Sequence, residues 1–262
     1  MKVHKAFAKV NIFLKITGKR GDYHEIISRF MRVEDLYDEL SFVAKENAGF
    51  TKQEFGILGD FSCTAEQNTI YKAYVALRET TKSDALERLM QSYAVKVDKK
   101  IPAFAGLGGG SSDAATYLKM CNEVLHLGLS LNELASIGVK VGADVPFFIY
   151  NYGSANVSGI GEVVEPYKEE ILPIVTKTPK IEISTPAVYK CYSQKFYNPI
   201  DGFEVERFKK LSSKEALESL SAMEANDLFA PALDLYSELG EHYSEGEFFS
   251  GSGSSFFRLK EE

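Results

Sequence analysis

The stretch "IPAFAGLGGGSSDAATYL", residues 101–118, sets four glycines (Gly106, Gly108, Gly109 and Gly110) around Leu107, follows them with Ser111, Ser112 and Asp113, and runs on into helix-like sequence. Glycine loses more backbone freedom on folding than any other residue, so a run of it ahead of a helix calls for a reason. One reason is anion binding. Consecutive glycines let successive N–H groups turn inward as a nest, and a phosphate can approach with no Cβ atoms in its way. The unpaired N–H groups and positive dipole end of the next helix act in the same sense. The other reading is a flexible turn closed by an N-capping serine. Three known nucleotide patterns do not fit. A Walker loop needs Gly-Lys before Ser or Thr, and no such lysine closes this run. The dinucleotide fingerprint asks for glycine where Ser111 stands. Neither the His-Arg-Asp nor the Asp-Phe-Gly element of the protein kinases occurs.

Outward from the run, "YAVKVDKKIP" alternates as a strand leading into it. Behind it, Ala114, Leu118, Cys121 and Leu125 recur at helical spacing until Gly128. Ser130 and Glu133 form a capping-box pattern for a further short helix, closed by Gly142. "DVPFFIY" is expected to be extended, since Pro146 disfavours helix at Val145. Near the start, "HKAFAKVNIFLKIT" alternates, with Ala6, Ala8, Val10, Ile12 and Leu14 on a buried face and Phe7, Lys9, Asn11 and Phe13 on the other. "GKRGDYHEI" reads as a turn and "RFMRVEDLYDELSFVA" as strand and turn. Residues 68–79 read as a helix with Ile70, Ala73, Tyr74 and Leu77 on one stripe. "NYGSANVSGIGEVVEP" reads as a boundary or hairpin, "PKIEISTPAVYKCY" as strand-like and "SSKEALESLSAME" as helical. "GEFFSGSGSSFFRL" reads as a small-residue turn between aromatic strands. Strands and helices intermixed without a repeat predict two α+β lobes, dividing near residues 150–165, with site residues from both.

The 262 residues, 45% hydrophobic and 26% charged, suffice for one large core or two modest ones. A net charge of −7 disfavours a nucleic-acid partner. No stretch approaches the roughly 18 apolar residues of a membrane span. Lysines recur through the first twenty residues, where a signal peptide would carry an apolar block. Cys63, Cys121 and Cys191 show neither metal-ligand spacing nor a disulfide framework. The expectation is a soluble cytoplasmic protein, monomeric or weakly dimeric.

The pattern from Pro102 to Ala115, P-x-x-x-G-L-G-G-G-S-S-D-A-A, resembles the phosphate-binding motif of the GHMP kinases. "AKVNIFLKITGKRGDYHEI", "GADVPFF" and "SGSGSSFF", in this order, bring the resemblance closest to the branch whose acceptor is a methylerythritol bearing cytidine diphosphate. Four patches spread from residue 6 to 257 carry it; residues 195–245 add little. The resemblance implies an α+β, two-lobed fold. Residues 1–157 would form a mixed sheet-and-helix nucleotide lobe, and residues 158–262 a ferredoxin-like lobe contributing to the acceptor site. It also implies ATP as cosubstrate with Mg²⁺, whose ligands it does not give. The implied reaction is transfer of the γ-phosphoryl group to the 2-hydroxyl of the methylerythritol moiety, a step of non-mevalonate isoprenoid precursor synthesis.

In the resembled family a catalytic lysine and aspartate stand at the positions of Lys9 and Asp144. Asp144 would orient the acceptor hydroxyl and take its proton, and Lys9 would keep that carboxylate ionised and offset charge on the moving group. By position alone they are a solvated strand lysine and a turn or capping aspartate. The resemblance assigns ATP to Asn68, Pro102, Gly106, Leu107, Gly108, Gly109, Gly110, Ser111, Ser112 and Asp113, and Lys99 and Lys100, by their place just ahead of the loop, are expected to meet its phosphates or ribose. Asn68 is otherwise a helix N-cap, and Lys99 and Lys100 otherwise a solvated strand end. Asp113 either favours the helix dipole or repels phosphate. Acceptor contacts fall to Asn11, Tyr23, His24, Thr185, Tyr189, Gly251, Ser252 and Gly253, with Tyr23, His24 and Tyr189 stacking on and reading cytosine. Apart from the resemblance, Tyr189 is a core aromatic, His24 structural or solvated, and residues 251–253 a plain hairpin turn. Two competitors stand beside this reading. Another GHMP kinase, for homoserine, mevalonate or a sugar, has no base for Tyr23, His24 and Tyr189 to engage. A non-catalytic nucleotide-binding module has no use for Lys9 and Asp144.

Overall fold

The computed structural model describes residues 2–61 and 63–260 and is an α+β fold. It divides into two compact units, each assembled from three stretches of chain.

The first unit comprises Met1–Ala8, Asp35–Ala103 and Gly109–Asn151. It holds the start of strand β1 (His4–Arg20), the later half of β2 (Tyr23–Ala44), β3 (Ile57–Leu58) and β4 (Tyr93–Asp98). β4 runs antiparallel to β2 from Glu39↔Asp98 to Ala44↔Tyr93, and β3 runs parallel to β4. The helices are α1 (Thr69–Thr81), α2 (Asp84–Ser92), α3 (Gly109–Val124), α4 (Leu131–Val139) and α5 (Val145–Tyr150). α3 is buried on several sides, from Ser112 through Leu118, because its small residues let neighbouring elements approach closely. Ser130 and Glu133 make the expected capping box of α4.

The second unit comprises Lys9–Glu34, Phe104–Gly108 and Tyr152–Glu262. Here the first half of β2 pairs with β5 (Ser154–Gly159), Ile26↔Gly159 to Met31↔Ser154, and β5 forms a hairpin with β6 (Val163–Pro166). A second, antiparallel sheet has the order β7 (Ile174–Lys177), β9 (Phe256–Leu259), β8 (Phe248–Phe249). The helices are α6 (Thr185–Cys191), continued by a π turn at Tyr192–Phe196, α7 (Gly202–Lys210), α8 (Ser213–Ser219), α9 (Ala222–Ala225), α10 (Phe229–Leu235) and α11 (Leu239–His242). Leu14, Ile26, Val188, Phe229, Phe249 and Phe256 are at the centre of the core, with Phe229 stacked on Phe249 at 4.8 Å.

Several expectations change. β2 is one continuous strand, not strand and turn. β1 is buried on both faces: Lys9, Asn11 and Phe13 are as covered as Val10 and Ile12, so Lys9 is no solvated strand lysine. "DVPFFIY" is helix α5, and "TPAVYKC" is helix α6 instead of a strand. Pro146 and Pro186 each fall in the first turn, where the missing N–H would lack an intrahelical partner anyway. The units interleave, whereas one cut between residues 157 and 158 was expected. β1 and β2, of 17 and 22 residues, are long enough for each to enter both units.

Candidate active site

In the second unit, the carbonyls of residues 104 to 107 all accept hydrogen bonds. Those of Phe104 and Ala105 take the N–H groups of Ser254 (3.3 Å) and Ser255 (3.1 Å). Gly106 accepts from the Ser250 hydroxyl (3.0 Å) and Leu107 from the Lys9 N–H (3.0 Å). The glycine run and the serine turn, read separately in the sequence, are thus one structure. Gly106 has φ +72°, and a Cβ there would lie 2.1 Å from the Ser250 carbonyl oxygen, so no other residue fits. Asn226 braces the turn from beneath, donating to the carbonyls of Phe249 (2.8 Å) and Gly251 (2.9 Å). Asn226 lies in the stretch where the sequence carries no motif, and nothing there singles it out. The turn is buried, and the Ser252 hydroxyl bonds that of Thr185 at 2.7 Å.

Lys9 is 3% exposed, and its ammonium donates to Asn11 Oδ1 at 2.6 Å and lies 4.4 Å from the Phe30 ring centre. Asn11 in turn donates to the Ser28 hydroxyl at 2.9 Å, which donates to the Phe13 carbonyl. A buried ammonium is stable only with such partners. Asn11 fixes Lys9 through this chain, and its Oδ1 is 3.4 Å from where a Gly251 Cβ would lie.

The acceptor candidates also meet in this unit. Tyr23, His24, Thr185, Tyr189, Lys190 and Ser193 are among the residues lining a cleft of about 540 Å³. His24 and Tyr189 lie 5.1 Å apart with rings tilted by 30°, and His24 Nε2 is 2.6 Å from the Ser193 hydroxyl. Burial, with Lys19 nearby, pushes the His24 pKa below its ordinary value. Tyr23 is 65% exposed, an aromatic face open to a ligand. Thr185 opens helix α6, and Tyr189 follows one turn on.

In the first unit, α3 begins at Gly109. The Thr69 hydroxyl, at the head of α1, donates to the Gly110 carbonyl at 2.6 Å, and the buried Asn68 caps α1 through Ile70 N–H. The Ser111 hydroxyl lies 3.7 Å from where a Gly142 Cβ would be, which sets it beside the loop that delivers Asp144. Asp144 is half-buried at the N-cap of α5 and makes no side-chain capping bond. Lys99 is no solvated strand end. Its ammonium is held by Asp38 and by Asp113 (2.7 Å), both carboxylates being buried. Burial works against the charge of Lys99, but Asp113 and Asp38 outweigh it and raise its pKa. Burial first, and Asp38 nearby, push the Asp113 carboxyl up to about 7 against the pull of Lys99. Lys100 makes surface ion pairs with Glu39 and Asp98 instead. Pro102 and Gly110 are exposed, and Leu107 anchors the loop in the core. A second cleft, about 630 Å³ and lined by Phe50, Phe55, Tyr71, Tyr74 and Arg78 among others, includes none of the expected residues.

Among the described residues no three His, Cys, Asp or Glu side chains are placed to hold a metal ion, and no helix is long and apolar enough to cross a membrane. The cysteines are free, Cys63 exposed and the other two buried.

The chain is similar to known proteins along its whole length. Residues 68–152 match the GHMP kinases N terminal domain. The chain is 69% identical, over 265 aligned positions covering all of it and 98% of the relative, to a 4-diphosphocytidyl-2-C-methyl-D-erythritol kinase of Sulfurimonas denitrificans. It is 41% identical to one of Campylobacter jejuni subsp. doylei, covering 97% of this chain and 99% of that one. A crystal structure of a 4-(cytidine 5'-diphospho)-2C-methyl-D-erythritol kinase is similar over 99% of this chain and 90% of its own, with a TM-score of 0.72 at 28% identity.

Proposed function

The chain belongs to the 4-diphosphocytidyl-2-C-methyl-D-erythritol kinases of the GHMP kinase family, and from that premise we propose that it transfers the γ-phosphoryl group of ATP to the 2-hydroxyl of 4-(cytidine 5'-diphospho)-2-C-methyl-D-erythritol. The observation that carries the reading is identity of 69% along the whole chain, with the residues of all four motif patches in place. In the reaction the acceptor oxygen bonds to the γ-phosphorus, the bond from that phosphorus to the β–γ bridging oxygen breaks, and ADP leaves. Such a transfer has a loose transition state, so a protein contributes position and charge compensation.

The ATP phosphates lie on the amides of residues 106–112. The carbonyls of 104–107 are committed to other bonds, and what this segment offers an anion is its N–H groups. Asn68, Lys99, Lys100 and Pro102 surround the nucleotide. Asp144 orients the acceptor hydroxyl and receives its proton, and Lys9, held by Asn11, offsets charge on the transferring group. Mg²⁺ prefers to keep water and to bind nucleotide phosphates with few protein ligands. A chain without a nest of carboxylates among its described residues fits an ion that arrives on ATP, with the Ser111 hydroxyl as a protein donor. That ion neutralises phosphate charge. Tyr23, His24 and Tyr189 hold the cytosine, with Thr185 and residues 251–253 along the remainder of the acceptor. In this reading residues 1–157 supply the ATP site and part of the acceptor site, and residues 158–262 contribute the rest of the acceptor site. The protein acts in the cytoplasm, as a monomer or weak homodimer.

ADP release measured with the cytidine diphosphate substrate, free methylerythritol phosphate, mevalonate and homoserine tests the proposal. Turnover with the first alone is expected. Comparable turnover with mevalonate or homoserine, or none with the cytidine diphosphate compound, overturns it.

A further inference from the structure

In the second unit, helix α6 and the π turn that continues it touch the ring of His24 at three points. Tyr189 and Ser193 stand four residues apart, so a helical backbone puts both on one face. Tyr189 lies against the imidazole with ring centres 5.1 Å apart, and Tyr192 stands nearly perpendicular to it, at 5.7 Å and 80°. The third point is the Ser193 hydroxyl, 2.6 Å from Nε2. The turn is itself pinned. The Lys195 ammonium (2.6 Å) and the Cys191 thiol (3.4 Å) both donate to Asp234 of α10, and the hydroxyl of the buried Tyr192 accepts the Asn198 N–H (3.2 Å). Ser193 belongs to none of the motif patches.

At about pH 8 an imidazole whose pKa lies below the ordinary value of 6.5 is neutral, with one N–H and one bare nitrogen. Which nitrogen carries the proton is set by the bond that the other makes. Among the described residues the Ser193 hydroxyl has His24 as its one hydrogen-bond partner, and Nδ1 of His24 bonds none. A hydroxyl with no other acceptor gives its proton to the bare nitrogen it meets. We infer that Ser193 is a positioning residue of the acceptor site, whose hydroxyl donates to Nε2 of His24 and keeps the ring proton on Nδ1, the nitrogen left to the ligand. The inference rests on the reading that His24 reads the cytosine. In this tautomer the ring offers the base a donor. Cytosine presents an acceptor at N3, where uracil carries N–H, so a fixed donor favours the first and meets the second donor to donor. The opposite tautomer would offer a bare nitrogen and reverse the preference. Ser193 thus sets the choice of base through His24.

The test is steady-state kinetics of the full chain with the cytidine diphosphate substrate and its uridine counterpart, for wild type, Ser193→Ala, His24→Ala and the double variant. Ser193→Ala is expected to raise KM for the cytidine compound about five- to tenfold with kcat within about twofold, and to narrow the preference for cytidine over uridine about tenfold. In the His24→Ala background Ser193→Ala adds nothing, because it acts through that ring. Imidazole nitrogen resonances at the same pH, with His24 assigned by its loss in His24→Ala, show the proton on Nδ1 in the wild type and shared between both nitrogens in Ser193→Ala. A wild-type proton on Nε2 overturns the inference whatever the variants do. So does a Ser193→Ala enzyme with unchanged KM and base preference, or a further loss in the His24→Ala background. A His24→Ala enzyme that keeps the wild-type KM and base preference overturns the cytosine reading itself.

Discussion

Asp144 and Asp113 carry the same functional group in opposite surroundings. Asp144 stands half-buried at the head of α5, where the helix dipole favours a negative group. If it orients and deprotonates the acceptor, Asp144→Asn lowers kcat by about 10²–10⁴ with the Kd for MgADP within about twofold of wild type, measured by steady-state kinetics and calorimetry. Asp113 is enclosed, and its value near 7 lies above that of an unfolded chain, about 3.9. The folded state therefore holds this proton more tightly, and the stability it contributes at low pH falls as pH rises from about 4 through 7, then stays level. Asp113→Asn removes the penalty. Its Tm relative to wild type should climb by several degrees between pH 5 and 7.5 in thermal melts, at about 2–4 °C per kcal/mol for a chain of this size. Which residues share a face of β1 was legible from alternation alone. That the second face, with Lys9 and Asn11, is also covered was not, because the covering groups, Ser250 among them, lie far along the chain. Lys99 escaped reading for the same reason: Asp38 is 61 residues away.

At the scale of elements, the reading failed where proline opened a helix. Pro146 disfavours helix at the residue before it and the segment around Pro186 reads as strand-like, yet both prolines occupy first turns. Those two helices carry candidate site residues: Asp144 precedes α5, and Thr185 and Tyr189 belong to α6. The identity of the residues was legible from the motif patches even where their backbone was not. The capping box of α4 and the serine turn between aromatic strands were plain because their signals are local. The pairing of that turn with the glycine run is non-local and left no trace in composition. It makes Gly106→Ala a sharp test, since the added methyl meets a carbonyl oxygen. We expect a loss of more than about 2 kcal/mol in denaturant melts, from the clash and the left-handed backbone together, and weakened MgADP binding.

For the whole molecule, ligand linkage reads out both proposed ligands in one experiment. A ligand at a hundred times its Kd stabilises the native state by about 2.7 kcal/mol. MgADP and a cytidine diphosphate compound should each raise Tm. Tyr189→Ala should lose most of the cytidine shift and keep that of MgADP, as followed by thermal melts. A cytidine shift unchanged in this variant would remove Tyr189 from the cleft's function. The assignment to an α+β fold was legible from intermixed element patterns, but the interleaving of the compact units was not, because it depends on two strands longer than any local signal reveals. The bond between Gly106 and Ser250 spans 144 residues. On a ribosome adding roughly 5–20 residues per second, the glycine motif emerges on the order of ten seconds before its brace has been made. Until Ser250 has been made the Gly106 carbonyl lacks this partner, so the bend reaches its final bonded form only late in synthesis.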